Sequence, residues 1–325
     1  MTLIQENISL APYTHLKVGG PARFFAEVKS QRELQEVVAW AAEQQIPVAV
    51  LGAGSNVLVS DAGFGGLVIR MRLNGISLEG DALRAGAGVS MAQAALFALE
   101  HNRSGFEWAV GIPGTIGGSV YGNAGCFGGE IKDVIESVKV FDIPRVTSYE
   151  LRVTECKFAY RESIFKRNKD FIILGATLKL KRISDKEKKE RQAWIKQMMR
   201  ERVAEQAIGA RTMGSTFKGI PITNETISLM QSHDARFQKG DTSCWMFENR
   251  ARMLSAGFLI EQAGLKGKKI GGVSVSLKHA NFLVNDGAAT AEHVAMLIAL
   301  LKERVHRKFG IMLEEEIQYL STPFA

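Results

Sequence analysis

Residues 111–125 read GIPGTIGGSVYGNAG, and residues 47–61 read PVAVLGAGSNVLVSD. The density of glycine in the first stretch, together with Pro113, excludes an ordinary strand. It concentrates residues without side chains where backbone can approach a ligand closely. The uncharged run around it, 108–129, is long enough to span a bilayer, but its glycines and Pro113 are loop chemistry and not membrane chemistry. In the second stretch a strand over 47–51 runs straight into Gly52, Ala53, Gly54, Ser55 and Asn56, a turn that exposes successive N–H groups to an anion such as phosphate. A Rossmann fingerprint requires a third glycine opening a helix. Here Val57 stands in its place and VLVSDAGFGG continues as strand and turn, so that reading fails. Taken alone, the 52–56 loop is as well explained by a tight turn with no ligand. Two such loops, with no GxxxxGK[ST], point to a long cofactor containing a pyrophosphate.

Outward from these loops, strands are predicted over 23–28, 83–85, 134–141, 150–153 and 171–180, with helices capped at Ser30 and Ser90. The first half is therefore α+β. Residues 184–207 form one long charged helix with Trp194, Ile195, Met198 and Met199 as its apolar stripe. Beyond it, helices over 254–263 and 290–309 alternate with strands over 271–276, 282–284 and 311–319, a second α/β unit. Residues 219–252 show weak periodicity and read as an irregular insertion. The 325 residues, 46% of them hydrophobic, suffice for two or three cores, giving regions 1–182, 183–207 and 208–325.

The formal charge is +7, and residues 179–202, with ten basic and four acidic side chains, supply +6 of it. One basic helix with no interleaved aromatics beyond Trp194 is a solvated face and not a nucleic-acid surface. Cys126, Cys156 and Cys244 are odd in number and widely spaced, which indicates neither a metal site nor a disulfide framework. MTLIQENISL lacks a secretory pattern, so a cytoplasmic protein that neither spans nor binds a membrane is expected.

The ordered phrases LGAGSNVLVSD, VGIPGTIGGSVYGNAGCFGGEI, FAYRESIF, GSTFK, AGFLIEQAGLKG, HANFLVN and LEEEI resemble those of the UDP-N-acetylenolpyruvoylglucosamine reductases, over about residues 7–320. The resemblance implies an FAD-binding fold of the vanillyl-alcohol-oxidase type in two subdomains, followed by a C-terminal substrate-binding domain whose last strand carries a catalytic glutamate. It implies NADPH as reductant, a UDP-sugar enolpyruvate as substrate, UDP-N-acetylmuramate as product, and a monomer. By the same resemblance, Gly52, Gly54, Ser55, Asn56, Gly111, Pro113, Gly114, Thr115, Gly117, Gly118, Asn123, Ala124 and Gly125 contact FAD. Arg161, Ser215 and Glu316 are implied as catalytic: a guanidinium on the substrate carboxylate, a proton donor, and a carboxyl group beside it that is protonated when charge builds. Lys218, Lys266 and His279 are candidates for the substrate.

Two departures stand out. Lys218 is followed by Gly219 and Ile220 where the family has Asn-Pro, and no tyrosine-bearing loop lies between Arg161 and Ser215. The competing expectation is a catalytically silent paralogue that binds flavin or UDP sugar.

Overall fold

The computed structural model describes residues 3–207, 209–233, 245–248 and 251–321. A first sheet runs in the order Ile4–Ser9, Pro21–Val28, Phe64–Met71, Val48–Leu51, the last three strands mutually parallel. Parallel strands need a crossover, and the Gln31–Glu43 helix supplies it. Ser30 caps it by accepting the Glu33 N–H at 3.2 Å, and Leu34, Val37, Val38 and Ala41 form its buried face. A second, antiparallel sheet follows in the order Thr147–Arg152, Ile135–Asp142, Phe171–Lys179, Ala82–Gly86, Ile76–Glu79. Its central strand, FIILGATLK, is buried over most of its length, and the Ile116–Gly122 helix packs on it. These sheets and helices share one core between Ala26 and Leu180.

The C-terminal part is a four-stranded antiparallel sheet, Thr212–Ser215, Phe282–Asn285, Val273–Val275, Lys269–Ile270, with the helices Ala256–Gln262 and Ala291–Phe309. Its core also takes in Leu16, Val18 and Leu58 from the beginning of the chain. The final strand, Gln318–Leu320, leaves this part and pairs in parallel with Val57–Val59, immediately after the GAGSN loop. Asp61, just beyond, accepts the N–H groups of Ala291 and Glu292 at 2.8 and 2.9 Å and so caps the Ala291–Phe309 helix. The architecture is α+β.

Three expectations need correction. Within 219–252 there is regular structure: strands Ile220–Pro221, Trp245–Glu248 and Ala251–Leu254 form a small antiparallel sheet, and Asn224–His233 is a helix whose Met230 reaches the C-terminal core. Thr223 opens that helix by accepting the Thr226 N–H, a cap that the mixed polarity concealed. Residues 234–244 of the expected insertion, and Cys244 with them, lie outside the described residues. Second, the predicted 311–319 strand overlaps the observed one, Gln318–Leu320, only at its last two residues. Ile311, Leu313 and Ile317 alternate into the core, but 314–316 bond to an irregular segment through Lys218 N–H to Glu314 O and Glu316 N–H to Thr216 O, both 2.8 Å. Third, the 111–125 stretch is not all loop. Thr115 accepts the Gly118 N–H and opens the seven-residue Ile116–Gly122 helix, which ends on Asn123 in the left-handed conformation at φ 43°.

Candidate active site

The two glycine stretches meet across one cavity of about 1510 Å³. They approach so closely that a Cβ on Gly52 would lie 2.6 Å from Thr115 Oγ1, and the second stretch also lies against the chain after the Ala82–Gly86 strand, where a Cβ on Gly117 would lie 2.8 Å from Ala87 Cβ. These glycines therefore let one loop lie on another. The first loop keeps donors available: Ala53, Gly54 and Ser55 line the cavity, and none of their N–H groups donates within the described hydrogen bonds. The second has spent its own on the fold. The N–H groups of Ile116, Gly117 and Gly118 go to Val89 O, Ala87 O and Thr115 Oγ1. Its open wall comes instead from Gly118, where an added Cβ would meet only Thr115 Oγ1 at 3.6 Å, and Gly122, where it would meet nothing within 4 Å.

Arg161 reaches the cavity from a two-residue turn. Ala159 and Glu162 exchange both backbone hydrogen bonds, at 3.0 and 3.1 Å, and Arg161 lies between them at φ 53°. Its Nε donates to Glu316 Oε1 at 2.8 Å, and its Nη2 donates to the Gly125 carbonyl at 3.1 Å. Both side chains are mostly buried, at 11% and 18% exposure. Glu316 lies two residues before the final strand and is held by the GAGSN loop, because Asn56 Nδ2 donates to the Glu316 carbonyl at 3.1 Å while Asn56 O accepts the Gln318 N–H at 2.9 Å. Ser215 ends the Thr212–Ser215 strand, and Glu316 N–H bonds to the carbonyl of the next residue, Thr216. Asn281 fixes this segment. Its side chain accepts the Phe217 N–H at 3.0 Å and donates to the Phe217 carbonyl at 2.8 Å, and its own carbonyl takes the Thr216 N–H.

The three glutamates of LEEEI each have a different cation: Glu314 takes Lys218 at 2.5 Å, Glu315 takes Lys302 at 2.8 Å, and Glu316 takes Arg161. Burial lowers the readiness of His279 to charge, with Glu205 opposing and Lys266 assisting. Its Nδ1 accepts the Asn281 N–H at 3.3 Å, which requires the neutral ring.

Of the residues singled out in the sequence, Arg161, Ser215, Glu316 and His279 line the same cavity as Gly52, Gly54, Ser55, Asn56, Gly111, Pro113, Gly114, Thr115, Gly117, Gly118, Ala124 and Gly125. Three lie off it. Asn123 is fully buried and ties the second loop to the Arg161 turn, donating to Ala159 O at 2.8 Å and accepting the Lys132 N–H. Lys218 is paired with Glu314 and Glu162, and Lys266 with Glu261 at 3.1 Å. Sequence reading missed Arg202, which lines the cavity, donates to Gln206 Oε1 and would be touched by any Cβ on Gly111. The signal was present, for Arg202 falls four and seven residues after the buried Met198 and Ile195.

A cavity larger than the roughly 300–1,000 Å³ of a single-ligand pocket, with unspent N–H donors at one glycine loop and a bare backbone wall at the other, fits a dinucleotide together with a second ligand. Residues 22–147 match the family model described as FAD binding domain, which makes the chain an FAD-dependent flavoprotein. Residues 206–320 match the C-terminal domain of UDP-N-acetylenolpyruvoylglucosamine reductase. The chain is similar to that reductase from Synechococcus sp. (strain JA-3-3Ab), 38% identical over 98% of this chain and 92% of the relative, and to the one from Solibacter usitatus, 36% identical over 98% and 96%. The crystal structure of the Thermus caldophilus enzyme superposes with a TM-score of 0.74 at 31% identity, covering 97% of this chain and 99% of that one. The chain belongs to the UDP-N-acetylenolpyruvoylglucosamine reductase family.

Proposed function

We propose that this chain reduces the enolpyruvyl ether of a UDP-N-acetylglucosamine enolpyruvate to UDP-N-acetylmuramate at the expense of NADPH, as a cytoplasmic monomer serving peptidoglycan synthesis. The observation that carries this reading is the convergence of Arg161, Ser215 and Glu316 on the cavity that the glycine loops wall. FAD, when bound, supplies two-electron hydride chemistry between NADPH and the terminal carbon of the enolpyruvyl group. The 52–56 loop and the wall around Gly118 and Gly122 would hold the cofactor.

Hydride addition to the terminal carbon builds negative charge on the carbon bearing the carboxylate and on the carboxylate itself. Arg161 stabilises that charge through a planar fork already aimed into a largely buried site. The substrate carboxylate is a second anion for a guanidinium that starts on Glu316. As it takes over the guanidinium, Glu316 loses its cation and favours the protonated form, so it does not repel the developing charge. Ser215 Oγ gives its proton to the carbon, and the hydroxyl is reprotonated through Glu316 or water. NADPH, one proton and the unsaturated ether thus yield NADP⁺ and the saturated ether.

Purified protein mixed with NADPH and the enolpyruvyl substrate oxidises them one for one. Ser215→Ala slows flavin reoxidation by substrate about 10²–10⁴-fold, the usual weight of a lost proton donor, and leaves flavin reduction by NADPH intact. Glu316→Gln changes the pH–rate profile of the reoxidation step. A yellow protein that binds UDP sugar without turnover identifies a silent paralogue, and a glutamine variant with full rate at every pH removes Glu316 from the mechanism.

A further inference from the structure

Arg161 occupies the third position of its turn at φ 53°, a place that turns of positive φ give to glycine or asparagine. A long side chain there costs free energy, and such strain persists only where the surroundings over-determine it. Three contacts hold the turn from outside. Asn123 Nδ2 takes the Ala159 carbonyl at 2.8 Å, Tyr160 OH accepts the Gly219 N–H at 3.0 Å, and Lys166 Nζ donates to the Arg161 carbonyl at 2.6 Å. The third is the least expected. Lys166 is 12% exposed, lines the cavity, and finds its nearest carboxylate, Glu162 Oε1, only at 3.9 Å. A largely desolvated ammonium therefore makes its shortest contact with the main-chain carbonyl of the strained residue.

We infer that Lys166 is a positioning residue for Arg161: its ammonium clamps the Arg161 carbonyl and so locks the 159–162 turn in the left-handed conformation that keeps the guanidinium on Glu316 and in the cavity. The inference rests on the reading of Arg161 as the group that stabilises charge on the substrate. Burial also draws the Lys166 ammonium below the usual lysine range, with Lys218 and Arg161 adding to the effect and Glu162 and Glu316 opposing it. The clamp therefore weakens at a lower pH than an ordinary lysine would allow.

The test uses the flavin-loaded full chain, with Lys166→Met, Lys166→Arg, Arg161→Met and the double variant Lys166→Met/Arg161→Met. UDP-N-acetylglucosamine, which lacks the enolpyruvyl carboxylate, serves as a binding probe read by flavin absorbance. Lys166→Met is expected to lower kcat about 10- to 100-fold, the scale of an angstrom-sized misplacement, with KM changed less than about threefold. Its affinity for the probe is unchanged, and on the Arg161→Met background it costs less than about threefold. Lys166→Arg retains most of the rate and moves the alkaline limb of kcat upward, an arm that stands even if the methionine variant fails to hold flavin. Weaker probe binding with kcat intact would make Lys166 a ligand contact and overturn the inference. So would a full penalty on the Arg161→Met background, or an alkaline limb identical in wild type and Lys166→Arg. Full turnover in Arg161→Met alone would instead sink the reading of Arg161, whatever Lys166 does.

Discussion

Burial keeps the imidazole of His279 neutral, and Nδ1 as an acceptor from the Asn281 N–H suits only that form. Its affinity for a proton is lower in the folded chain than the ordinary value near 6.5. Below that pH the unfolded chain takes up a proton that the folded chain refuses, so stability falls as pH drops from about 6.5 toward the folded value. Thermal melts between pH 5 and 8 should show this acid loss, and His279→Gln should flatten it. Asn281 acts through shape instead. Its carboxamide closes on both backbone groups of Phe217, and Asn281→Leu leaves them buried and unpaired, at about 1–3 kcal/mol each by urea titration. At this scale the sequence revealed residue types but not their partners. Asn123 sits in the glycine phrase yet joins the loop to the Arg161 turn, because a side chain can leave a loop on the side away from the cavity without altering the phrase. Lys218 and Lys266 were candidates as cations, and whether a cation meets a ligand or a glutamate depends on distances that no local pattern encodes.

Helix and strand periodicity was most legible where an element buries one face. Gln31–Glu43 and Ala291–Phe309 have both a side-chain cap and a stripe of buried residues at helical spacing. It was least legible at 311–317, where alternating burial resembles a strand but the neighbouring chain is irregular, and at Asn224–His233, where few apolar positions need cover. The cap that Asp61 places on the Ala291–Phe309 helix could not be read at all, since 230 residues separate the partners. Two N–H groups depend on that one carboxylate. Asp61→Ala should lower stability by about 1–2 kcal/mol in urea unfolding, and Asp61→Asn, which keeps an acceptor oxygen, by less.

Cofactor and fold are linked across the whole molecule because the cavity takes its walls from His15 and Lys17, the GAGSN loop, the five-stranded antiparallel sheet and the final strand together. Stripping FAD should therefore lower the melting temperature of the entire protein. Titrating FAD back should raise it logarithmically, by about 2.7 kcal/mol of stability at a free concentration one hundred times Kd. If the melt ignores FAD over that range, the cavity is not its seat. The basic excess of residues 179–202 is spread over the end of the Phe171–Lys179 strand, Lys181 and Arg182 and most of the Asp185–Glu205 helix, which is exposed along most of its length; among its described residues only Ile195, Met198 and Arg202 are buried.

Glu314, Glu315 and Glu316 answer to Lys218, Lys302 and Arg161 in strict succession. A gene that lost one glutamate codon would still encode an acidic run before the same isoleucine, and the lesion would look trivial in print. In the folded chain every carboxylate upstream of the gap would be handed to its neighbour's cation, and the tether from Asn56 would pull against a strand one residue too short. The three residues are identical in the chain and distinct in the fold, each set apart by its own cation.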